Sequence, residues 1–254
     1  MCGRFVATAA AGELADYFQA VLSESLATTD SETSPEPSYN VAPTNHVHTV
    51  RAKEGHREID VMKWGLVPSW AKDPKIGAKM INARSETAAE KPAFRTAIKK
   101  RRCLVPADGF YEWAKVPGQK SKQPYYITRA DGEPIVFAGL WEAWKPKPGS
   151  EAEEAATTEG SAREDISWLI SCTLMTTTPN AEMAEIHNRM PVLVPPTWWD
   201  RWLDPEVTVN EISELFRPAP DGLLQLTPIT TMVNNVRNKG PELIERAEAL
   251  RFQL

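Results

Sequence analysis

Residues 102–113 read Arg-Cys-Leu-Val-Pro-Ala-Asp-Gly-Phe-Tyr-Glu-Trp, and the fold class can be inferred from stretches of this kind. Two short apolar or aromatic runs, 102–106 and 110–113, are separated by three residues. Such runs favour strands, because β-branched and aromatic side chains pack well on a pleated surface. The second run also carries a lone carboxylate, Glu112, between two aromatic residues. The stretch therefore predicts two strands, one of which bears an unusual acidic side chain.

Similar short runs recur on both sides of this stretch. The other predicted strands are 47–51, 58–64, 80–84, 125–129, 135–140, 168–173 and 192–194. The predicted helices are 13–26, 180–186, 196–202, 210–216 and 241–249. Many short strands with a few helices and no regular βαβ alternation favour an α+β fold. We expect one domain over residues 1–254, with a mixed or mostly antiparallel, barrel-like sheet and several peripheral helices.

Composition describes an ordinary soluble chain of 254 residues, 42% hydrophobic and 25% charged, which is long enough to bury a core. The sequence contains no run of about 18 apolar residues, so no membrane span is predicted. The N-terminus has no basic stretch followed by an apolar one, so no secretory signal is expected. Three widely spaced cysteines, Cys2, Cys103 and Cys172, fit a reducing, cytoplasmic compartment.

The net charge of −5 is concentrated in one segment. Residues 151–165 hold six of the 34 acidic residues and one of the 29 basic residues, so the other residues sum to zero charge. Pro146, Pro148 and Gly149 precede this segment, and alanine, threonine and glutamate fill it. We predict a disordered acidic insertion at 146–165. The remaining surface is free to carry a basic face that binds an anionic partner.

The chain begins Met1-Cys2-Gly3-Arg4-Phe5, which predicts an N-terminal nucleophile. Methionine before a small residue is readily removed during synthesis, and Cys2 would then carry a thiol and a free α-amine on adjacent carbons. These groups titrate near about 8.5 and about 7.7–8.0, so each has a nucleophilic fraction at neutral pH. A 1,2-aminothiol condenses with an aldehyde to an imine, which the thiol closes to a thiazolidine. The pentapeptide therefore points to chemistry on a carbonyl, although chain ends are often merely disordered.

Further side chains are chemically unusual for plain loops or a plain core. Along an extended 80–84, Asn82 and Arg84 would share one face, and an extended start would likewise put Cys2 and Arg4 on one face. The remaining candidates are Trp70 among lysines, Glu112, His187 at a predicted helix end, and Arg189 just after it. Singly, each has an ordinary alternative: a salt-bridge partner for Glu112, a satisfied helix-terminal histidine for His187, or a core indole for Trp70.

The histidines do not predict a metal site. His46 and His48 alternate and could share a strand face, but no cysteine or aspartate cluster accompanies them. We therefore expect neither a metal nor another cofactor.

Taken together, seven sequence blocks resemble the SRAP family (SOS response-associated peptidases). The blocks are Met1-Cys2-Gly3-Arg4-Phe5, Tyr39-Asn40-Val41-Ala42-Pro43, Trp64-Gly65, Asn82-Ala83-Arg84-Ser85-Glu86-Thr87, Ala107-Asp108-Gly109-Phe110-Tyr111-Glu112-Trp113, His187-Asn188-Arg189-Met190-Pro191 and Val233-Asn234-Asn235-Val236. They occur in the family's order from residue 1 to about 245. The chain departs from the family in the acidic insertion, and it has a single Trp70 where some relatives have a pair.

The resemblance implies a function in the DNA damage response. Family members are understood to link their N-terminal cysteine covalently to abasic sites in single-stranded DNA, which shields the lesion. Carried over, Cys2 is the nucleophile, His187 assists opening of the sugar, Glu112 orients the opened sugar and the amine, and Asn82 aligns them. Arg4, Arg84 and Arg189 would hold phosphates, and Trp70 would stack on a base. Because an imine permits elimination of the 3′ phosphate, we also expect a weak lyase activity. We further expect a monomer that, if the protein is bacterial, associates with the nucleoid when bound to DNA.

Two other function classes stay open from the residues. An N-terminal-nucleophile cysteine hydrolase, either an amidotransferase or an autoprocessing peptidase, also begins Met-Cys-Gly and uses its free amine as the base for the thiol. A non-covalent reader of modified bases would need the aromatic residues and the arginines but not Cys2. A glutaminase assay and a denaturing gel with abasic DNA distinguish these alternatives.

Overall fold

The computed structural model describes residues 2–27, 34–118, 120–150, 152, 153 and 168–247. The strands of this part of the chain are β1 (Phe5–Ala7), β2 (Val21–Leu22), β3 (Ser38–Val41), β4 (His46–Lys53), β5 (His56–Trp64), β6 (Asn82–Arg84), β7 (Arg102–Ala107), β8 (Gly109–Ala114), β9 (Gln123–Arg129), β10 (Ile135–Trp144), β11 (Leu169–Thr177), β12 (Met190–Pro191) and β13 (Leu224–Pro228).

The helices are short and peripheral. The α-helices are α1 (Ala11–Phe18), α2 (Glu24–Ala27), α3 (Ala97–Lys100), α4 (Ala181–Ala184) and α5 (Trp199–Leu203). Single 3₁₀ turns cover Pro74–Lys79, Pro196–Trp198, Ser213–Phe216, Thr231–Asn234 and Pro241–Ile244. None of the helices in the described residues is long and apolar enough to cross a membrane.

Five strands close into a barrel. Antiparallel pairing joins β5 to β4, β4 to β7, β7 to β10 and β10 to β11, and a parallel pairing of β11 with β5 completes the ring. The barrel encloses an apolar cluster that includes Trp64, Cys103, Phe137 and Cys172. Residues 102–107 thus form a central barrel strand, as their apolar pattern predicts.

A second sheet packs against the end of the barrel. Its five strands run β13-β9-β8-β1-β3, and every neighbouring pair is antiparallel. In β1, Phe5 packs on Trp64 and Phe137 of the barrel, with ring centroids 5.0 and 5.8 Å apart. The predicted α+β class, with a mixed and mostly antiparallel barrel-like arrangement and peripheral helices, is confirmed. The extent of the domain, 1–254, stays a prediction.

A tight glycine contact shapes the loop that carries Trp70. Gly65 has φ of +128°, and a Cβ placed on it would lie 2.6 Å from the carbonyl oxygen of Gly77. Only a residue without a side chain fits this conformation and this approach. The contact holds the start of the loop after β5 against the 3₁₀ turn Pro74–Lys79, so that Trp70 lies on a closed loop.

Several predicted elements are wrong or too long. The predicted helix 13–26 breaks because Gln19 takes a left-handed conformation with φ of 50°. The chain then pairs with β5 as β2 before α2 begins. The predicted strand 192–194 is wrong, since β12 ends at Pro191 and Leu193 makes only an isolated bridge to Phe137.

Other predicted elements differ in length or in type. The predicted helices 180–186, 210–216 and 241–249 are shorter, and the last two are 3₁₀ turns within the described residues. Strands β1, β3 and β13 are not predicted by the residue pattern, because they are short and are stabilised by pairing. The predicted acidic insertion at 146–165 lies outside the described residues except for 146–150, 152 and 153, so it stays a prediction.

His48 makes the stability of the fold dependent on pH. Burial of this β4 side chain lowers the pKa of its imidazole from 6.5 to about 4. A lowered pKa in the folded state means that the unfolded chain binds the proton first as the pH falls. The stabilising contribution is therefore complete above about pH 6.5 and is lost progressively as the pH falls toward 4.

We expect His48→Gln to reduce the loss of unfolding free energy at low pH. Between pH 7 and 4.5 the wild type should lose about 2 kcal/mol more unfolding free energy than the variant, because each pKa unit corresponds to about 1.4 kcal/mol. Urea unfolding at both pH values measures the difference. His56→Gln, which changes an exposed imidazole, is the control and should leave the wild-type pH dependence intact. Equal pH dependence in the wild type and His48→Gln would contradict the assignment.

Candidate active site around Cys2

Cys2 lies where β1 meets the end of the barrel. Its side chain is completely buried and belongs to the same apolar cluster as Phe5 and Trp64. The Sγ atom lies 3.9 Å from the carbonyl oxygen of Arg4. Burial is the main cause that raises the pKa of the thiol well above its usual range, and the carboxylate of Glu112 raises it further. These features belong to the chain that still carries Met1.

Asn82 anchors the residue that carries the nucleophile. Strand β6 runs parallel to β11, which fixes Asn82 opposite Leu174. Its Nδ2 donates a hydrogen bond of 2.9 Å to the carbonyl oxygen of Cys2. Its Oδ1 is buried and has no hydrogen-bond partner among the described residues. Asn82 therefore holds Cys2 with one end of its amide and keeps a buried acceptor at the other.

Glu112 is a buried acid of β8, only 3% exposed. The neighbouring Tyr111 hydroxyl donates 2.7 Å to the carbonyl oxygen of Tyr39, and the next indole, Trp113, donates 2.7 Å to Oδ1 of Asn234. These two aromatic neighbours hold the strand on both sides of the acid. The Glu112 carboxylate acts electrostatically on both Cys2 and His187. The structure thus brings these three predicted residues together.

His187 follows α4 and is held by its own segment. Asn180 caps the helix by accepting 3.1 Å from the backbone N–H of Met183, and His187 N–H donates 2.8 Å to the carbonyl oxygen of Met183. The Nδ1 atom accepts 3.0 Å from the backbone N–H of Arg189. An Nδ1 that accepts a hydrogen bond leaves the proton of the neutral ring on Nε2.

The protonation state of His187 follows from its environment. Burial is the first cause that lowers the pKa of the imidazole, and Glu112 opposes this effect. A lowered pKa keeps the ring neutral at pH 7. His187 is therefore a neutral donor through Nε2 rather than a cation.

An open groove of about 580 Å³ lies beside His187. Its other lining residues are Arg84, Glu86, Thr87, Asn188 and Arg189. Arg84 is exposed at the end of β6, and no carboxylate lies within ion-pair distance of it in the described ranges. Its guanidinium is therefore available to an anion.

Arg189 has partners that the sequence does not reveal. Its Nη1 and Nη2 lie 2.5 and 2.9 Å from the two carboxylate oxygens of Glu86. Nη2 also donates 2.7 Å to the carbonyl oxygen of Thr176. This bidentate ion pair lowers the pKa of Glu86 and fixes the Arg189 side chain. A phosphate would have to displace or share the Glu86 carboxylate, so the predicted phosphate contact of Arg189 stays a prediction.

Arg4 is held by a buried asparagine, Asn40, for which the sequence predicts no role. Arg4 Nη1 donates 2.8 Å to Oδ1 of Asn40 and 3.0 Å to the carbonyl oxygen of Val233. Asn40 is 0% exposed, and its Nδ2 donates to the carbonyl oxygens of Val233, Asn235 and Asn238. The sequence points to this contact only in that Arg4 and Asn40 both lie in blocks that resemble the family.

Trp70 is placed on the surface, with 50% of its side chain exposed. It lies on the loop after β5 and does not line the groove beside His187. The core alternative for Trp70 is therefore wrong, and stacking on a base stays a prediction.

Among the described residues, no group of three or more histidine, cysteine, aspartate or glutamate side chains could hold a metal ion.

These features define a class of site: a buried cysteine next to the chain start, held by an amide and flanked by an acid and a neutral imidazole. Such a set suits nucleophilic chemistry with proton transfer. The sequence model of one family, "SOS response associated peptidase (SRAP)", matches residues 1–236. The chain belongs to the SRAP family, which confirms the resemblance of its motifs.

Named relatives support the same family. The chain is 37% identical over 246 residues to the abasic site processing protein YoqW of Bacillus subtilis, covering 96% of this chain and 99% of that one. It is 32% identical over 249 residues to the abasic site processing protein YedK of Escherichia coli, with the same coverage. A crystal structure of a Bacteroides thetaiotaomicron protein superimposes with a TM-score of 0.78 at 24% identity, over 97% of this chain and all of that one. That structure supports the fold alone.

Proposed function

We propose that this chain processes abasic sites by linking Cys2, after removal of Met1, to the sugar aldehyde of an abasic site in single-stranded DNA. The observation that carries the proposal is the arrangement at Cys2. Asn82 holds the Cys2 backbone and keeps a buried acceptor, while Glu112 and His187 lie within electrostatic range. The names of the relatives, abasic site processing proteins, agree with this substrate.

The chemistry uses both groups of the aminothiol. The Cys2 amine attacks the aldehyde carbon, and loss of one water gives an imine. The thiol then adds to the imine carbon, its proton moves to the nitrogen, and a five-membered thiazolidine forms. The product joins protein and DNA through one carbon that is bonded to both sulfur and nitrogen, with a net release of one water.

Removal of Met1 is the step that creates this reactivity. In the unprocessed chain the Cys2 nitrogen is a non-nucleophilic amide, and burial raises the pKa of its thiol. A new α-amine on Cys2 can be protonated, and its positive charge would favour the thiolate. Removal of Met1 therefore makes the Cys2 nitrogen nucleophilic and favours the Cys2 thiolate.

The acid, the imidazole and the amide have separate tasks. An abasic deoxyribose is mostly a closed hemiacetal, so a proton must reach the ring oxygen as the ring opens. As the C1′–O4′ bond breaks, the anomeric hydroxyl loses a proton and the ring oxygen gains one, so the ring opens with no net change in protons. The Nε2–H of His187 donates a hydrogen bond to the ring oxygen and assists this transfer, and buried Glu112 orients the opened sugar and the amine. The Oδ1 atom of Asn82 accepts a hydrogen bond from the amine. Positioned acid–base groups of this kind typically contribute 10²–10⁴-fold.

The DNA strand is held mainly through its phosphates. Arg84, which has no carboxylate within ion-pair distance in the described part of the chain, supplies a bidentate contact in the groove beside His187. Exposed Trp70 stacks on a neighbouring base, which is worth about 1–3 kcal/mol and is indifferent to base identity. The site thus recognises a missing base rather than a sequence.

A lyase activity would arise from the imine stage. Loss of a C2′ proton from the imine to a base forms a C2′–C3′ double bond and expels the 3′ phosphate, which cleaves the strand. Ring closure by the thiol removes the imine and protects the strand. A long-lived adduct and weak cleavage are therefore two outcomes of one intermediate.

The hydrolase alternative uses the same amine and thiol on an amide. Its test is release of ammonia from glutamine, which we do not expect. The family description "peptidase" is consistent with removal of Met1 from the chain itself.

A non-covalent reader of modified bases would not need Cys2, so the hydrogen bond from Asn82 to Cys2 would have no part in its function. An abasic oligonucleotide on a denaturing gel separates these functions, because only the proposed one gives a covalent band.

We expect Glu112→Gln and His187→Ala to slow adduct formation by about 10²-fold on a true abasic site. On an oligonucleotide that bears a simple, permanently open aldehyde, His187→Ala should cost much less, because no ring has to open. Single-turnover gel kinetics with both substrates measure these rates. His56→Ala changes an exposed histidine outside the site and should match the wild type. Equal slowing of His187→Ala on both substrates would remove His187 from ring opening.

A further inference from the structure

Two cations lie on one buried asparagine without a carboxylate partner. Arg4 Nη1 donates 2.8 Å to the side-chain oxygen of Asn40, and Lys239 Nζ donates 2.5 Å to its backbone oxygen. Arg4 is half-buried, whereas the Lys239 residue is exposed although its ammonium donates to a buried asparagine. No aspartate or glutamate of the described residues lies within ion-pair distance of either one. Both positive charges are therefore bound to neutral oxygens of Asn40 and lie within electrostatic range of each other.

Two other partly buried arginines have acidic partners, whereas the buried Arg102 donates to backbone carbonyl oxygens. Arg51 lies 3.0 Å from Glu58 and 2.8 Å from Asp60. Arg101 lies 2.7 Å from Glu142. Ion pairs of this kind offset the loss of hydration when a cation is partly buried. Among the described residues neither Arg4 nor Lys239 has such an acidic partner, so both cations are available to an external anion.

The electrostatics of the pair agree with this interpretation. Burial lowers the pKa of Lys239, and the charge of Arg4 lowers it further. Burial also lowers the pKa of Arg4. A bound anion would reverse both effects, so binding would be strongest where Lys239 is charged.

The position of the pair next to Cys2 suggests which anion it binds. The carbonyl oxygen of Arg4 lies 3.9 Å from Cys2 Sγ and accepts 3.0 Å from the backbone N–H of Tyr111. Arg4 immediately precedes β1 of the five-stranded sheet, and the neighbouring β3 carries Asn40. Arg84, in contrast, is on β6 of the barrel sheet. Both sheets thus contribute a contact to Cys2, one through the backbone oxygen of Arg4 and the other through Asn82, two residues before Arg84.

We propose that Lys239 and Arg4 form a second phosphate site for the DNA backbone, separate from the groove that contains Arg84. This inference rests on the proposed function and adds to it a residue, Lys239, together with a path for the strand. A phosphate on one side of the abasic sugar would bind at Arg84, and one on the other side at Arg4 and Lys239. The Asn40 scaffold holds the two cations at a fixed separation.

The test measures non-covalent binding, so that it does not depend on the crosslink. The probe is a single-stranded oligonucleotide with a tetrahydrofuran abasic analogue, which has no aldehyde. Its affinity for the processed protein is measured by fluorescence anisotropy across a salt series. The variants are Lys239→Gln, which removes the charge, and Lys239→Arg, which retains it. Lys100→Gln is the matched control, because Lys100 is exposed and already paired with Glu206 at 2.9 Å.

We expect Lys239→Gln to weaken binding several-fold at low salt. The slope of log K against log salt concentration should become less steep by about 0.7, the value for one phosphate of a single strand. Lys239→Arg should restore both affinity and slope, and Lys100→Gln should change neither. A wild-type slope in Lys239→Gln would overturn the proposal, and so would an equal change in Lys100→Gln.

Two further readouts separate this proposal from other outcomes. A merely structural role for Lys239 would lower the thermal unfolding midpoint of Lys239→Gln and leave the salt slope unchanged, which also overturns the phosphate site. With true abasic DNA below saturation, Lys239→Gln should crosslink several-fold more slowly than the wild type, and Lys100→Gln should match the wild type. If the wild type itself forms no crosslink, the proposed function fails, whereas the salt slopes still decide the phosphate site.

Discussion

Cys2→Ala should abolish the adduct with abasic single-stranded DNA that survives denaturation. The variant keeps a small second residue, so Met1 is still removed and a free amine remains. It lacks the thiol that closes the imine, and an unclosed imine hydrolyses when the protein is denatured. The measurement is a denaturing gel of the processed variant with an abasic oligonucleotide, and the expected band intensity is that of the background.

Cys2→Ser separates the two groups of the aminothiol. It should give no stable band by itself, but borohydride added during the reaction should trap its imine as a secondary amine. Cys172→Ala is the control for loss of a buried thiol and should retain the full adduct, because Cys172 lies inside the barrel cluster. A wild-type yield of unreduced adduct from Cys2→Ala would exclude the thiazolidine.

A protein that keeps any residue ahead of Cys2 should form no adduct, even though its thiol is intact. The Cys2 nitrogen is then an amide, and a lone thiol adds to an aldehyde only as a labile hemithioacetal. An extra leucine inserted between Met1 and Cys2 prevents removal of the methionine. This protein should still bind the tetrahydrofuran oligonucleotide, so its loss of reaction is chemical and not a loss of affinity.

A matched control restores the amine. The same extension can carry a site at which a specific protease cuts directly before Cys2. Cleavage should restore the adduct to the wild-type yield, in the same preparation and with the same fold. An extended protein that links as well as the cleaved one would place the nucleophile elsewhere in the chain.

The residue pattern was sufficient to predict the class of fold because barrel strands carry a local signal. Strand β7 was predicted from its apolar run, and all six of its residues are buried. The short β1 and β3 have no comparable signal, since three or four residues become a strand only through pairing with each other and with β8. Gln19 shows the opposite case, in which helical spacing continues past a residue whose backbone conformation ends the helix.

The site was predicted in part for the same reason. Cys2, Asn82, Glu112 and His187 were recognisable as chemically unusual residues in family-like blocks, and the fold brings them together. Their supporting contacts could not be predicted, because they join residues far apart in the chain. The Arg4 guanidinium meets the carbonyl oxygen of Val233, 229 positions away, and Arg189 meets Glu86, 103 positions away. No local pattern encodes such distances.

The chemical identity of the crosslink tests the central claim most directly. Trypsin should cut the denatured adduct after Arg4 and release Cys2-Gly3-Arg4, and nuclease digestion should leave the deoxyribose remnant on this peptide. Mass spectrometry should show the peptide plus the ring-opened sugar less one water. Neither its amine nor its sulfur should react with labelling reagents, because both are bonded to one carbon. A remnant on another peptide, or a Cys2 thiol that can still be alkylated, would contradict the thiazolidine at Cys2.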